Sequence, residues 1–414
     1  MPEFLRLVPP EEARSRLLEH LSAPLSDFET VEVIHSLGRV AATDILAPHP
    51  LPEFPRSSVD GYEVRASDIF GASDSLPAYL TLIGEVPMGD SPSIEIKSGQ
   101  CALIHTGGML PAEADAVVML EHTQQSQTKE IEVFKAVAAG ENVIQVGEDV
   151  TQNSIVIPRG TILRPAEIGG LMGLGMTEVL VVRKVRLGLI STGDEIIDPS
   201  SKPRPCQVRD INSFSLGALI VEFGGLPLYY GIIRDQFESL KAAAERALRE
   251  CDVIVITAGS SASTRDITAE VIRQLGEPGV LVHGINTRPG KPTILGVCRG
   301  KAVIGLPGNP VSALVNGYLF LRPVLEKLQN TLPRPRPTVA ARLTINLASQ
   351  AGREDWWPVK LRLIHEVVPS QYAAEPIFGK SNLIFTLAAA DGLLCIPADA
   401  TGLSAGEVVQ VMLV

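Results

Sequence analysis

Between residues 185 and 330 short apolar runs alternate with amphipathic segments, and this rhythm constrains the fold more than any other feature. VRLGLIST (185–192), LYYGIIRD (228–235), DVIVITAG (252–259) and GKAVIGLPGN (300–309) read as strands. Each is nearly continuous in apolar side chains, as strands covered on both faces must be. INSFSLGALIVEFGG (211–225), QFESLKAAAERALREC (236–251) and DITAEVIRQLG (266–276) carry helical spacing. The first is closed by glycine, and Asp235 stands before the second as its expected N-cap. PVSALVNGYLFLRPVLEKL after residue 309 reads as a further helix. Strand and helix in alternation predict an α/β domain on a mostly parallel sheet over 183–330.

The flanking sequence has a different texture. Ala13, Leu17, Leu18 and Leu21 recur at helical spacing over 11–21, while 31–48 reads as short extended and helical pieces. The Pro- and Ser-rich stretch 49–60 predicts a loop. From 62 to 148, β-rich runs such as YLTLIGEV, CALIHTGG, ADAVVMLEH and IEVFKAV are punctuated by Gly, Pro, Asp or Ser, with no long helix, which predicts a small all-β domain. TLPRPRPTV (331–339) reads as a linker, and RLTINLA, WPVKLRLIHEVV, LIFTLAAADGLLCIP and EVVQVMLV as strands of a terminal barrel or sandwich. No apolar run reaches the ~18–20 residues of a membrane span. The N-terminus lacks a basic start followed by an apolar stretch, so no signal peptide is expected.

Charge and thiols narrow the function classes. A net charge of −11 argues against a nucleic-acid binder, which needs a basic face. Local Lys, Arg and backbone N–H groups can still hold a small anion. The five cysteines are widely spaced and include no CxxC, so reduced thiols are expected rather than a disulfide frame or a zinc site.

In parallel α/β sheets ligands bind beyond the carboxyl ends of the strands. That rule selects STGDE (191–195), AGSSASTRD (258–266), RPGKP (288–292) and GLPGNPVS (305–312). In the last, Pro307 and Gly308 shape a loop, Asn309 suits an N-cap, and Pro310 suits the first helical position. A helix start of that kind favours an anion, though a plain capped turn has the same spacing. AGSSASTRD offers hydroxyls, among them Ser261, and Asp266 at an expected helix start. Thr192, Gly193, Asp194 and Glu195 occupy another strand end, where carboxylates beside phosphate favour Mg2+. Arg288 and Lys291, around Gly290, supply cations for phosphate or an oxyanion. Four loops at corresponding ends of one sheet point to an anionic phosphate ligand, a divalent cation and a reaction at the phosphate. Outside this domain Asp60, Thr106, Arg353 and Ser381 mark polar turns that composition alone assigns to structure. No histidine has metal-ligand spacing, and His49, His105 and His122 read as ordinary residues.

Taken in order, SSVDGYEVR, HTGGMLP with ADAVV, GEDV, STGDE, GIIRD, the Ser-rich loop ending in Asp266, RPGKP, GLPGNPVSA and GKSNLIF…AADGLL resemble the molybdopterin molybdenumtransferase family, seen also as the C-terminal part of gephyrin. The resemblance runs from about residue 30 to the C-terminus. It implies a multi-domain α/β plus β fold: an N-terminal helix (1–26), an elongated linker domain (27–45 and 149–182), an inserted β-rich domain (46–148), a three-layer α/β molybdopterin-binding domain (183–330) and a C-terminal β-barrel (331–414). It implies a cytoplasmic homodimer that acts on adenylylated molybdopterin and molybdate with Mg2+, releases AMP, and works downstream of a molybdopterin adenylyltransferase, with no nucleic-acid or membrane partner.

Carried over position by position, Asp266, Asp235 and Glu195 match the family's acidic positions near phosphate and metal. Arg288 and Lys291 match its basic loop pair, Ser261 and Ser312 its serines, and Arg353 and Ser381 its molybdate-side residues. Asp60 and Thr106 match positions in the inserted domain and are expected to face the partner subunit's cleft. The chain departs from the pattern in three places. Its loop is AGSSASTRD where the family has one close to GGVSVGxxD, Arg288 replaces a common Lys, and Ile144 and Gln145 stand where arginines are common. A non-catalytic pterin carrier, a tungstate-preferring enzyme and a hydrolase of another nucleotide remain alternatives at this point.

Overall fold

The computed structural model describes residues 7–126, 129–258, 262–364 and 371–414, with the side chains of 262–266 outside the description. The central element is a six-stranded sheet. Its spatial order is Leu226–Ile233, Arg186–Thr192, Val253–Ala258, Lys301–Pro307, Ile294–Cys298, Pro278–His283. The first four strands are parallel, and the last two run antiparallel to their neighbours. Two of the four inner strands, Val253–Ala258 and Ile294–Cys298, are buried at every residue. Leu226–Ile233, also expected to be covered on both faces, is instead the half-exposed edge of the sheet. Edge position, not composition, decides its exposure.

Helices cover both faces. Asn212–Glu222 and Pro310–Asn316 pack on one face with the N-terminal helix Pro10–Glu19, and Phe237–Glu250 and Ala262–Leu275 lie on the other. The glycine closing the first helix is Gly224, at φ +79°. Two expected helix starts move. The N-cap of Phe237–Glu250 is Gln236, one residue past Asp235, and makes no side-chain cap bond. The helix expected at Asp266 begins at Ala262, because the small residues before Asp266 wind into its first turn. The segment expected as one helix after Asn309 contains a π-turn at Gly317–Leu321 between Pro310–Asn316 and Arg322–Gln329. Pro323 lacks the N–H that an unbroken helix would use there.

The C-terminal strands close on themselves. Glu354–Ile364, Gln371–Pro376, Thr338–Leu343, Val408–Leu413 and Gly392–Ile396 form a five-stranded barrel, sealed by pairing of the last with the first. LIFTLAAADGLLCIP, read as strand with turns, is a short helix Ile384–Ala388 followed by the strand Gly392–Ile396. Its apolar run is too short for periodicity to separate the two states.

The region 61–133 holds a second six-stranded sheet, mostly antiparallel, in the order Ala116–Met119, Gly61–Val64, Gln100–Ile104, Ala78–Glu85, Glu130–Val133, Thr123–Gln125. The loop expected at 49–60 contains a short strand, Arg56–Ser57, paired with Val143–Ile144, so Ile144 serves a ladder there. Among the described residues no helix is long and apolar enough to cross a membrane.

Candidate active site

The cleft forms where the ends of the central strands meet the barrel. Thr287–Arg288 pairs in parallel with Glu354–Asp355, so the basic loop of the sheet domain continues into the barrel wall. The loop after Lys301–Pro307 reaches the barrel from the other side. Asn309 occupies the N-cap position, yet its amide donates to Ser381 Oγ at 3.0 Å rather than accepting from the helix. Val311 N donates to Ser381 O at 3.0 Å. Two turns remote in sequence are thereby fixed on each other.

The cleft has a volume of about 680 Å³. Of the residues expected from sequence, Arg288, Gly290, Lys291, Pro307, Gly308, Asn309, Ser312, Arg353 and Ser381 all line it. Gly290 is required: at φ +111° it lies so close to Asn316 that a Cβ would sit 1.7 Å from the amide nitrogen. That nitrogen holds Ser312 O at 2.7 Å and Pro289 O at 3.2 Å, tying the basic loop to the helix.

Sequence reasoning missed two charged cleft residues. Asp355 is 1% exposed and takes a two-point contact from Arg353, Nε at 2.6 Å and Nη2 at 3.0 Å. Ser349 Oγ donates to it at 3.0 Å, and Arg288 Nη1 lies 3.8 Å away. Arg288 also stacks over Trp357, 5.7 Å from the ring centre. Lys380 is the other; it is a cation in the stretch GKSN beside the expected Ser381. Asp355 carried no signal beyond adjacency to Arg353, since only tertiary contact shows a carboxylate serving two arginines.

A smaller cavity of about 270 Å³ adjoins through Gly308, Asn309 and Asn382, and Thr192 and Glu195 line it. Part of its wall is a buried network that sequence reading also missed. Ser191 Oγ donates to Asp210 at 2.8 Å and lies 2.8 Å from Ser213 Oγ and 3.2 Å from Thr257 Oγ1. Asp210 also accepts from Ser213 N at 3.1 Å, in the first turn of the helix that follows. An Asp three residues before a helical Ser was the available sign.

Gly193 and Asp194 stand at the rim without lining either cavity. At Gly193 a side chain would meet the Glu195 carboxylate at 2.9 Å, so glycine leaves room for that acid. Gly193 N donates to Ile233 O at 3.4 Å and Asp235 N to Asp194 at 3.5 Å, which brings the acidic ends of two adjacent strands together. The carboxylates there offer only oxygens, the kind of ligand Mg2+ takes, usually through one or two carboxylates beside substrate phosphate. Among the described residues no closed group of three metal-binding side chains exists. Ser261 and the Asp266 side chain lie outside the described residues.

Asp60 and Thr106 are brought together but not to this cleft. They sit at the end of the 61–133 sheet, where Asp60 accepts from Thr106 N at 2.7 Å and from its hydroxyl at 3.2 Å. Those bonds hold the Asp60 carboxyl below its ordinary range. His105 lies between Asp60 (3.6 Å) and Glu85 (3.1 Å).

Fold and cleft together define a multi-domain α/β-and-barrel protein built around a cation-lined cleft. The chain matches the MoeA N-terminal region (domain I and II) over residues 8–175, a "probable molybdopterin binding domain" over 188–327, and the MoeA C-terminal region (domain IV) over 340–414. It is 37% identical to a molybdopterin biosynthesis protein of Methanocaldococcus jannaschii, over 98% of each chain. It is 30% identical to the molybdopterin molybdenumtransferase of Bacillus subtilis, over 94% of this chain and 90% of the other. The solved molybdopterin biosynthesis MoeA protein of Pyrococcus horikoshii OT3 superposes with a TM-score of 0.84 at 32% identity, covering 99% of this chain and 100% of that one. The chain belongs to the MoeA, or molybdopterin molybdenumtransferase, family of enzymes.

Proposed function

We propose that this enzyme inserts molybdenum from molybdate into adenylylated molybdopterin, with cleavage of the adenylate and release of AMP. The observation that carries this reading is the convergence of Arg288, Lys291, Arg353 and Lys380 on one cleft at the ends of the sheet strands. A tetrahedral dianion and a phosphate are the ligands such donors suit. The names of the relatives give the pterin.

In this reading Lys291 and Lys380 bind oxyanion or phosphate as point charges, and the two arginines present planar N–H pairs. The Ser312 and Ser381 hydroxyls supply further donors. Asp194, Glu195 and Asp235, with Asp266 of the helix Ala262–Leu275, would hold Mg2+. When bound, the cation supplies charge neutralisation at the phosphoanhydride. The cofactor brings its own sulfurs, so no protein thiol takes part. We assign Asp60 and Thr106 to the partner subunit's cleft in a homodimer, since in their own subunit they line neither cavity.

The test is AMP release from adenylylated molybdopterin with Mg2+, with and without molybdate, for the parent enzyme, Lys291→Ala and Asp266→Ala. Molybdate-stimulated release should fall at least tenfold in both variants, on the order of one or two charge-assisted contacts. Binding without release by the parent enzyme would overturn the assignment in favour of a pterin carrier.

A further inference from the structure

The basic cleft residues divide into two kinds. Arg353 and Arg288 both lean on Asp355, while among the described residues Lys291 and Lys380 have no ion pair. Asp355 is fully buried, and Arg353 grips it through two nitrogens. An arginine gripped this way keeps only its outward N–H groups for a ligand, in a fixed plane. The same carboxylate stands in backbone register with Arg288 across the parallel pair that joins sheet domain to barrel. One buried side chain thus sets where two guanidinium groups from different parts of the fold present themselves.

We propose that Asp355 is a positioning residue for oxyanion binding: it holds Arg288 and Arg353 at the spacing that grips the tetrahedral anion. The proposal rests on the molybdate reading of the cleft. It has a sign that separates it from simple charge balance. Asp355→Asn preserves size and removes one negative charge from a cleft meant for an anion. If Asp355 only offset positive charge, molybdate would bind the variant more tightly. If Asp355 positions the arginines, molybdate binds more weakly in spite of the added positive charge.

The experiment is equilibrium dialysis of molybdate alone against the full-length protein, which reads binding without turnover. Asp355→Asn should raise the dissociation constant roughly tenfold, the scale of one charge-assisted hydrogen bond. Arg353→Lys should raise it by a similar factor, and the double variant should be no worse than either single one, because both changes break one unit. Asp355→Glu, which restores the charge, should recover part of the loss. Tighter or unchanged binding by a folded Asp355→Asn protein overturns the proposal, as does full additivity in the double variant. Should Asp355→Asn unfold, Ser349→Ala, which removes one support of the same carboxylate, should weaken binding severalfold; unchanged binding there also overturns it. AMP release is assayed separately. Loss of release with molybdate binding intact counts against the transferase reading and leaves the positioning role standing. Absence of molybdate binding by the parent protein overturns both.

Discussion

Glu63 is the most poorly accommodated side chain described in the molecule. It lies in the middle strand Gly61–Val64, is fully buried, and neither carboxyl oxygen has a partner among the described residues. Its cross-strand neighbours Ala102 and Val117 belong to an apolar cluster with Val86, Ile96, Ile104 and Leu110. Burial there pushes its pKa up to about 8, so it is neutral in the fold at pH 7. A folded pKa raised above the unfolded one means that stability is fully present below about pH 4 and is lost as pH rises through about 8. The penalty at pH 7 is on the order of 3 kcal/mol. Glu63→Leu should therefore stabilise the protein, by an amount that grows between pH 5 and pH 8. Denaturant titrations of both proteins across that range check it, and a difference independent of pH would sink the idea.

Three of the five thiols behave in the opposite way to catalytic nucleophiles. Burial pushes Cys101 and Cys395 up to about 12 and Cys298 up to about 11. A thiol so raised is not a thiolate at neutral pH. All five single Cys→Ser variants should keep AMP release within about twofold once any loss of folded protein is corrected for. A folded variant without activity would contradict both this and the absence of thiol chemistry from the proposed reaction.

At the scale of the element, the loop Arg288–Pro292 shows how glycine serves the site. Gly290→Ala places a methyl group inside Asn316 and asks alanine for a φ of +111°. It should cost more than about 2 kcal/mol of stability and at least tenfold in molybdate affinity, because loop and helix separate. Gly169→Ala, in the open helix Pro165–Gly173, meets nothing within 4 Å and should be neutral or slightly stabilising. Thermal melts and dialysis of the two variants distinguish the cases.

Elements of this kind were legible in different degrees. The buried strands and the basic loop could be read directly, because continuous apolar runs and Pro–Gly–Lys turns carry their own local physics. Helix starts at Gln236 and Ala262 could not, since neither N-terminus takes the acidic cap that sequence spacing offered. The edge exposure of Leu226–Ile233 and the pairing of Asp355 with two arginines depend on what packs alongside. No local pattern encodes those contacts. Seven expected residues met in one cleft because they follow strand ends of one sheet, and Arg353 and Ser381 joined them because the barrel packs against those ends. Asp60 and Thr106 stood apart because they belong to another sheet.

At the scale of the whole molecule, the distribution of cores decides what unfolds together. One cluster runs from Val8, Ala13 and Leu17 of the N-terminal segment through Leu187, Val255 and Ile304 of the central sheet to Leu387 and Leu393 of the C-terminal region. The barrel interior is a core of its own, around Leu343, Val359, Ile396 and Val411, and Leu387 and Leu393 join its outer side to the core of the sheet domain, with the cleft at that boundary. The 61–133 sheet has its own two clusters, and neither has a member in that core. A shared core unfolds as one unit, and separate cores can unfold independently. Calorimetry should accordingly resolve a transition of the 61–133 sheet apart from that of the central sheet. Leu17→Ala, at a site with no exposure, should destabilise the larger unit by roughly 2–5 kcal/mol and lower its transition. Glu63→Leu should raise the other at pH 7 and leave the first in place. Ligands of the cleft should raise the transition that Leu17→Ala lowers, because they bind only where sheet and barrel are both folded. If Leu17→Ala and Glu63→Leu move the same transition, the inserted sheet is coupled to the site through its subunit's own fold. Independence is what the assignment of Asp60 and Thr106 to a partner's cleft requires, since they would then act as a module carried to another copy's site.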